Sequence, residues 1–278
     1  MTGRRDDLSG EVALVTGASR GLGLLLAREL ARRSVKLVIC ARDEVELTRA
    51  AGWLRDSGAE VTAVPCDVAD QAAPQLLVQT ALDRYGKLDI LVSNAGIITV
   101  AASVGGKVSV PRLLPYSVAK FGELAFSEGL RAELGRGPIT ITTVVPGLMR
   151  TGSHERAWFG GRPASEYTWF SLAASLPMVS MDAERAARRI TTAVATRQPE
   201  LILTPLAQIA ARGAGLSPGL TGALLHLTHR LLPAPGDEHR MTRGRQLAPV
   251  IDDRIFAWLT SLGRSAARRF NQQPDRSA

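Results

Sequence analysis

The chain of 278 residues has no apolar run approaching the roughly eighteen residues of a membrane-spanning helix. Its first ten residues, Met1 to Gly10, are polar and charged. They lack the apolar stretch of a secretory signal, so a cytoplasmic location is expected. Cysteine is nearly absent. Cys40 and Cys66 each end a buried strand in the pattern below; the expected reading is a reduced core thiol, with a disulfide pair as the other option. Lysine is scarce too, with four residues (36, 87, 107 and 120), so arginine carries the net charge of +8. Much of that excess is terminal: eight Arg against three Asp from Arg240 onward. No nucleic-acid motif accompanies the charge, so no nucleic-acid partner is expected, and no metal-ligand set stands out. What remains, 45% hydrophobic and 22% charged residues, suits a globular protein with a substantial core.

Short β-branched runs alternate with amphipathic segments. Val12–Thr16, Val35–Cys40, Val61–Pro65 and Leu88–Ser93 read as buried parallel strands. Helices are expected at Leu22–Arg33, Asp43–Ser57 and Asp70–Tyr85, the last two closed by Gly58 and Gly86. Further on come a helix at Tyr116–Leu134, a strand at Ile139–Val145 stopped by Pro146-Gly147, and an irregular aromatic stretch over 148–180. Ser180 is expected to cap a helix at Met181–Arg197, before a short strand at Leu201–Thr204. This alternation predicts an α/β fold: a Rossmann-type doubly wound parallel sheet with helices on both faces. Residues 1–205 are expected to form one domain, with a small lobe at about 148–180. Residues 206–278 would be a helical extension with a basic tail.

Between the first strand and the first helix runs Thr16-Gly17-Ala18-Ser19-Arg20-Gly21-Leu22-Gly23. Glycines there let the backbone turn sharply and approach a pyrophosphate, and the helix N-terminus adds free N–H groups. An ordinary tight turn uses the same residues, but the strand–turn–helix context favours a nucleotide. After the second strand, where an acid would bind the ribose hydroxyls of NAD, stand Ala41 and Arg42. With Arg20 in the turn and no acid, the corner suits a 2′-phosphate, so NADP(H) is expected over NAD(H).

The spacing Gly17-x-x-x-Gly21-x-Gly23, then Asn94-Ala95-Gly96, Tyr116-Ser-Val-Ala-Lys120 and Pro146-Gly147 with Thr151, in that order, resembles the short-chain dehydrogenase/reductase family over roughly Glu11 to Thr204. The resemblance implies that residues 1–205 form a Rossmann-type dinucleotide-binding and catalytic domain, and that a hydride is exchanged between a nicotinamide and a carbonyl or secondary alcohol. It makes Tyr116 the proton donor or acceptor, Ser103, thirteen residues earlier, the hydroxyl that binds the same oxygen, and Lys120 the ribose ligand that tunes Tyr116. It also implies cofactor contacts from Gly17, Ser19, Arg20, Gly21, Leu22, Gly23, Arg42, Asp67, Val68, Asn94, Ala95, Gly96, Tyr116, Lys120, Pro146, Gly147 and Thr151.

One interval departs from the family. Only eight residues, 95 to 102, separate Asn94 from Ser103, where the family carries a long helix and its fifth strand. A parallel crossover needs at least about 10–12 residues, so the fifth strand and its preceding helix are expected to be missing. The family's usual dimer helix would go with them, which weakens the case for a homo-oligomer, and the alternative function is a catalytically impaired nucleotide-binding protein. Trp158, Phe159, Tyr167, Trp169 and Phe170 crowd the lobe that holds substrate in the family. They fit either a bulky apolar small-molecule substrate or ordinary packing. Leu206–Leu232 reads as two amphipathic helices. Ile255–Phe270, apolar with Arg264, Arg268 and Arg269, is a candidate for peripheral membrane contact through the tail, or for packing on its own domain.

Overall fold

The computed structural model describes residues 7–94, 104–110, 113–134, 137–177, 179–231, 238–247, 256 and 259–270. The chain packs as two compact units, one of residues 1–101 with 183–198, the other of 102–182 with 199–278.

The first unit holds a four-stranded parallel sheet of β1 (Val12–Thr16), β2 (Lys36–Ala41), β3 (Val61–Pro65) and β4 (Ile90–Val92), in the order β3-β2-β1-β4. Successive side chains on a strand face opposite ways, and both faces of this sheet are apolar. Ala13, Val15, Leu37 and Ile39 pack with Leu24, Ala27 and Leu30 of α1 (Gly21–Ala31) and with Leu47, Ala50 and Leu54 of α2 (Glu44–Asp56). Val12, Leu14, Val38 and Cys40 pack on the other face with Leu77 and Ala81 of α3 (Ala73–Tyr85). The parallel sheet with helices on both faces is therefore the expected doubly wound α/β arrangement. Helix ends follow local chemistry. Asp43 accepts from Glu46 N at 2.9 Å to start α2, and Gly86 (φ 77°) stops α3 in a left-handed turn few other residues adopt. A later helix, Ala183–Ala195, returns to this unit and packs on α1, with Arg28 bridging to Glu184 at 3.0 Å.

The second unit contains α4 (Leu114–Leu134), β5 (Thr143–Val145), β6 (Leu148–Arg150), β7 (Trp158–Gly161), α5 (Pro163–Ser175), β8 (Ser180–Asp182), then, after the 183–195 helix (α6), β9 (Glu200–Ile202), α7 (Pro205–Leu216), α8 (Pro218–Leu231), β10 (Glu238–Arg243), α9 (Gly244–Leu247) and α10 (Ser261–Arg269). β5 takes β9 as its parallel neighbour. The interval on which the missing strand and helix turn, 95–103, lies outside the described residues.

Two local expectations are corrected. Ser180 does not cap a helix: it opens β8, which pairs in parallel with β6, and its hydroxyl donates to Leu176 O at 2.8 Å. The 148–180 stretch is not irregular, because β6 pairs with β8 and β7 pairs antiparallel with β10 from the C-terminal region. Such partners are remote in sequence, which is why local pattern missed them. The two expected amphipathic helices are present as α7 and α8. Thr204, read as a strand end, caps α7 by accepting from Ala207 N at 3.2 Å.

Leu37 is fully buried at the centre of the first unit's core. Leu37→Ala is expected to lower the unfolding free energy by about 2–5 kcal/mol, measured by denaturant titration. An unchanged midpoint would contradict the assignment of this sheet as the stabilising core.

Candidate functional site

In the first unit, β1 ends in a turn that the glycines make possible. Gly17 and Gly21 have φ of 63° and 56°, in the left-handed region that side chains disfavour. Gly23 sits so close to the Gly17 carbonyl and the Asn94 amide that a Cβ there would collide with both. Asn94, at the end of β4, fastens the turn: its backbone N–H donates to Thr16 Oγ1 at 2.8 Å and its Nδ2 donates to the Thr16 and Gly17 carbonyls at 3.0 and 3.3 Å. Its Oδ1 is buried with no hydrogen-bond partner. α1 starts from Arg20 with no side-chain cap and no acid in its first turn. Uncapped N–H groups at a helix start attract anions. Bare glycine backbone and an uncapped helix fit a pyrophosphate, while the orphaned carboxamide oxygen, an acceptor, suits a donor elsewhere on a nucleotide such as a sugar hydroxyl.

The cationic corner is more compensated than the sequence implies. Arg20 is ion-paired with Glu46 of α2, a largely buried carboxylate that the sequence reading did not single out. Its only signal was the Asp43-x-x-Glu46 start of the helix. Arg42 faces Asp67 at 3.8 Å, and both side chains are about half exposed. Asp67 also closes its own turn, its Oδ1 accepting from Ala69 N at 3.1 Å, and Val68 beside it is exposed. Ser19 and Leu22 are buried within the turn and the first helical residues. Both cysteines border the site. Burial pushes the Cys40 thiol up to about 12, with Cys66 adding to the effect. Both are free thiols, and Cys66 is only half-buried.

In the second unit, α4 carries Tyr116 and Lys120 one turn apart. The Lys120 ammonium lies 5.5 Å from the Tyr116 ring centre and donates to Glu123 at 3.1 and 3.3 Å. Lys120 is almost fully buried, and burial lowers its pKa while the Glu123 carboxylate opposes the shift. Glu123 was missed because nothing local marks it beyond helical spacing. A one-turn helix over Val104–Gly106 runs against α4: a Cβ on Gly105 would lie 2.8 Å from Tyr116 Cε1, and one on Gly106 would lie 2.6 Å from Lys120 O. Ser103, Ala95 and Gly96 lie outside the described residues. Gly147, after β5, is pressed against the Thr204 side chain, and Thr151 is buried with its Oγ1 accepting from Ser153 N at 3.4 Å. The structure therefore divides the expected site between the two units, with Gly17 to Gly23, Arg42, Asp67, Val68 and Asn94 in the first and Tyr116, Lys120, Pro146, Gly147 and Thr151 in the second.

The aromatic stretch also separates. Phe159 and Tyr167 are buried with Leu247 and Phe256, Phe170 packs against that cluster, and Trp158 and Trp169 are about half exposed. His154 is 1% exposed with Nε2 unpartnered. Among the described residues, no group of His, Cys, Asp and Glu is arranged to hold a metal ion.

A family model described as short chain dehydrogenase matches residues 11–102 and 97–158. The chain is 35% identical over 190 residues to a ketoacyl reductase of the granaticin polyketide synthase from Streptomyces violaceoruber, covering 52% of this chain and 70% of that one. It resembles the solved structure of an actinorhodin polyketide ketoreductase variant with NADPH at TM-score 0.58 and 25% identity, covering 70% of this chain and 95% of that one. A short chain dehydrogenase/reductase from Burkholderia phymatum in complex with NAD superposes at TM-score 0.68 and 23% identity, over 77% of this chain and 96% of that one, a likeness of fold.

Two outcomes test this geometry. Gly23→Ala is expected to cost roughly 1–3 kcal/mol of stability through overpacking and to weaken nucleotide binding, read by thermal unfolding with and without NADPH. His154 supplies a pH test. Burial, with Arg264 of α10 contributing, lowers its pKa from 6.5 to about 4; Glu155 and Tyr167 are its other ionisable neighbours. The unfolded chain takes up that proton below pH 6.5 and the fold does so only near 4. Stability held above pH 6.5 therefore falls by about 3 kcal/mol on descending to pH 4. Denaturant titrations at several pH values should show that slope, and His154→Asn should flatten it.

Proposed function

The chain belongs to the short chain dehydrogenase family of oxidoreductases, and from that premise we propose that it transfers a hydride between NADP(H) and the carbonyl or secondary alcohol of a bulky, largely apolar substrate. The observation that carries the reading is the buried Lys120 ammonium set over the Tyr116 ring on one face of α4. A neighbouring cation favours the phenolate, which lets Tyr116 exchange its proton near neutral pH. The nicotinamide supplies the hydride. Tyr116 gives its phenolic proton to the carbonyl oxygen on reduction and recovers it on oxidation. Ser103 donates a hydrogen bond to the same oxygen, and Lys120 binds the nicotinamide ribose. The N–H groups opening α1 and the bare backbone of Gly17 and Gly23 receive the pyrophosphate. Asp67 and Val68 flank the adenine, and Asn94, Ala95, Gly96, Pro146, Gly147 and Thr151 line the rest of the cofactor.

Preference for NADP(H) is supported by Arg42, whose loose and exposed contact with Asp67 is easily exchanged for a phosphate. Arg20 contributes less, since Glu46 already holds it. The apolar substrate is supported by the exposed Trp158 and Trp169, and by the ketoacyl reductases among the relatives.

A second reading, an impaired enzyme lacking one strand and its helix, is favoured by the short 95–102 interval. The family match falls in two segments that meet at 97–102. The granaticin alignment runs over 190 positions but occupies 52% of these 278 residues, about 145, which leaves about 45 positions of the relative without a counterpart here.

Titration with NADPH and NADH, followed by nicotinamide fluorescence, separates the readings when combined with turnover on aromatic and long-chain ketones. The active enzyme binds NADPH more tightly and turns over. Tyr116→Phe should then lose about 10²-fold or more of that rate with NADPH affinity nearly unchanged. Arg42→Ala should raise the Kd for NADPH about tenfold and leave that for NADH as it was. NADPH binding without turnover on any ketone would establish the impaired reading, and equal turnover in Tyr116→Phe would overturn the assigned chemistry.

A further inference from the structure

The α7–α8 hairpin is built unlike the rest of the chain. α7 leaves Leu206 and Ile209 exposed, Leu216 at its end is 88% exposed, and α8 exposes Leu220, Leu224 and Leu227. Residues three and four apart share a helix face, so Leu220, Leu224 and Leu227 form one stripe on α8, and Leu206 and Ile209 form one on α7. No described residue of α8 is buried. Exposed leucines at this density and regularity are unusual on a protein surface that meets only water.

Charge distinguishes what covers them. From Leu201 to Gly236 there is no Asp or Glu, and the ionisable groups are Arg212, His226, His229 and Arg230. Arg212 lies three residues beyond Ile209, and Arg230 three beyond Leu227, so each cation borders its own leucine face. Long arginine side chains beside an apolar stripe can reach upward to anionic groups while the stripe sinks. A second copy of the same hairpin would set like charges against each other with no acid to offset them. The tail, by contrast, turns most of the described apolar residues of its last helices inward: Phe256, Ala266, Ala267 and Phe270 are buried, and Leu262 alone among the large ones there is about half exposed. No described helix is long and apolar enough to cross a membrane, which leaves a helix pair lying in the interface.

We propose that the α7–α8 hairpin is a docking surface for an anionic lipid bilayer, inserting Leu216, Leu220, Leu224 and Leu227 between headgroups while Arg212 and Arg230 contact lipid phosphates. The leucine face supplies the depth and the arginines supply the preference for negative charge, whatever substrate the oxidoreductase site takes.

Flotation of the full chain with vesicles of phosphatidylcholine alone, or mixed with phosphatidylglycerol, tests this. The chain is expected to float with the anionic vesicles, more weakly with the neutral ones, and less as salt rises. Replacing Leu220, Leu224 and Leu227 by Gln should reduce partition roughly tenfold or more, and Arg212→Gln with Arg230→Gln should remove the preference for anionic lipid. All five side chains are exposed, so far-UV circular dichroism and the unfolding midpoint should match the parent and separate a lost surface from a lost fold. Absence of flotation in the parent chain, or equal flotation of the leucine variant, overturns the proposal. So does a lipid-free dimer in light scattering that the leucine substitutions dissociate, which would make the face a contact between copies.

Discussion

The close approach of Gly23 to the Gly17 carbonyl and the Asn94 amide is the constraint on which the nucleotide corner depends. It allows α1 to start directly over the end of β1, so that its first N–H groups face outward from the turn. It also lets one residue at the end of β4 reach two carbonyls of that turn. The strand order β3-β2-β1-β4 makes this reach possible, because β1 and β4 are hydrogen-bonded neighbours although 78 residues separate Thr16 from Asn94. The turn is held by backbone geometry and by one carboxamide, with bulky packing confined to the two sheet faces below it.

Around this turn the charges are arranged in pairs. Taken one by one, Arg20 and Arg42 describe a cationic corner. Taken with their neighbours, Glu46 and Asp67, they describe a nearly neutral one whose two arginines differ in availability. Arg20 faces a largely buried carboxylate, and separating the two would lose their attraction at a site shielded from water. Arg42 and Asp67 are both exposed and held at a distance where solvent screens them. Any discrimination between cofactors by this corner therefore falls mainly to Arg42.

The features legible in the sequence were those set by residues close together in the chain. β1 and β3 were placed with their observed bounds, since continuous β-branched runs between turn residues have few other readings. Gly58 and Gly86 marked helix ends because a left-handed residue is local chemistry. The spacing of Tyr116 and Lys120 likewise fixed their shared face of α4. The missed features all require a remote partner. Ser180 has the composition of a cap but lies in a strand because Leu148–Arg150 pairs beside it. Glu46 is 26 residues from the arginine it holds. Trp158–Gly161 becomes a strand only through β10, about 80 residues later.

The same dependence on remote partners explains the C-terminal region. Gly152 has no room for a side chain because Ala267 of α10 fills that space, Gly244 is pressed against the His154 carbonyl, and Gly263 against Ser175 and the His154 ring. Three glycines distant in sequence thus bring α9 and α10 into contact with the one-turn 3-10 helix Ser153–Glu155 and with α5. The result is a buried imidazole beside a buried serine hydroxyl, with His154 Nε2 and Ser175 Oγ left without a hydrogen-bond partner. Such groups are costly to bury, a cost set against the close packing of Gly244 and Gly263 around them. Residues 238–247 and 261–269 therefore build the interior of the lobe that their sequence position suggests they merely follow. Gly244, Leu247, Gly263, Ala266 and Ala267 are enclosed there, while Leu206, Ile209, Leu216, Leu220, Leu224 and Leu227 of α7 and α8, from the same part of the chain, face outward. This difference in burial within one extension separates a structural role from a surface role: β10, α9 and α10 close the lobe, and the helical hairpin is free to meet another phase.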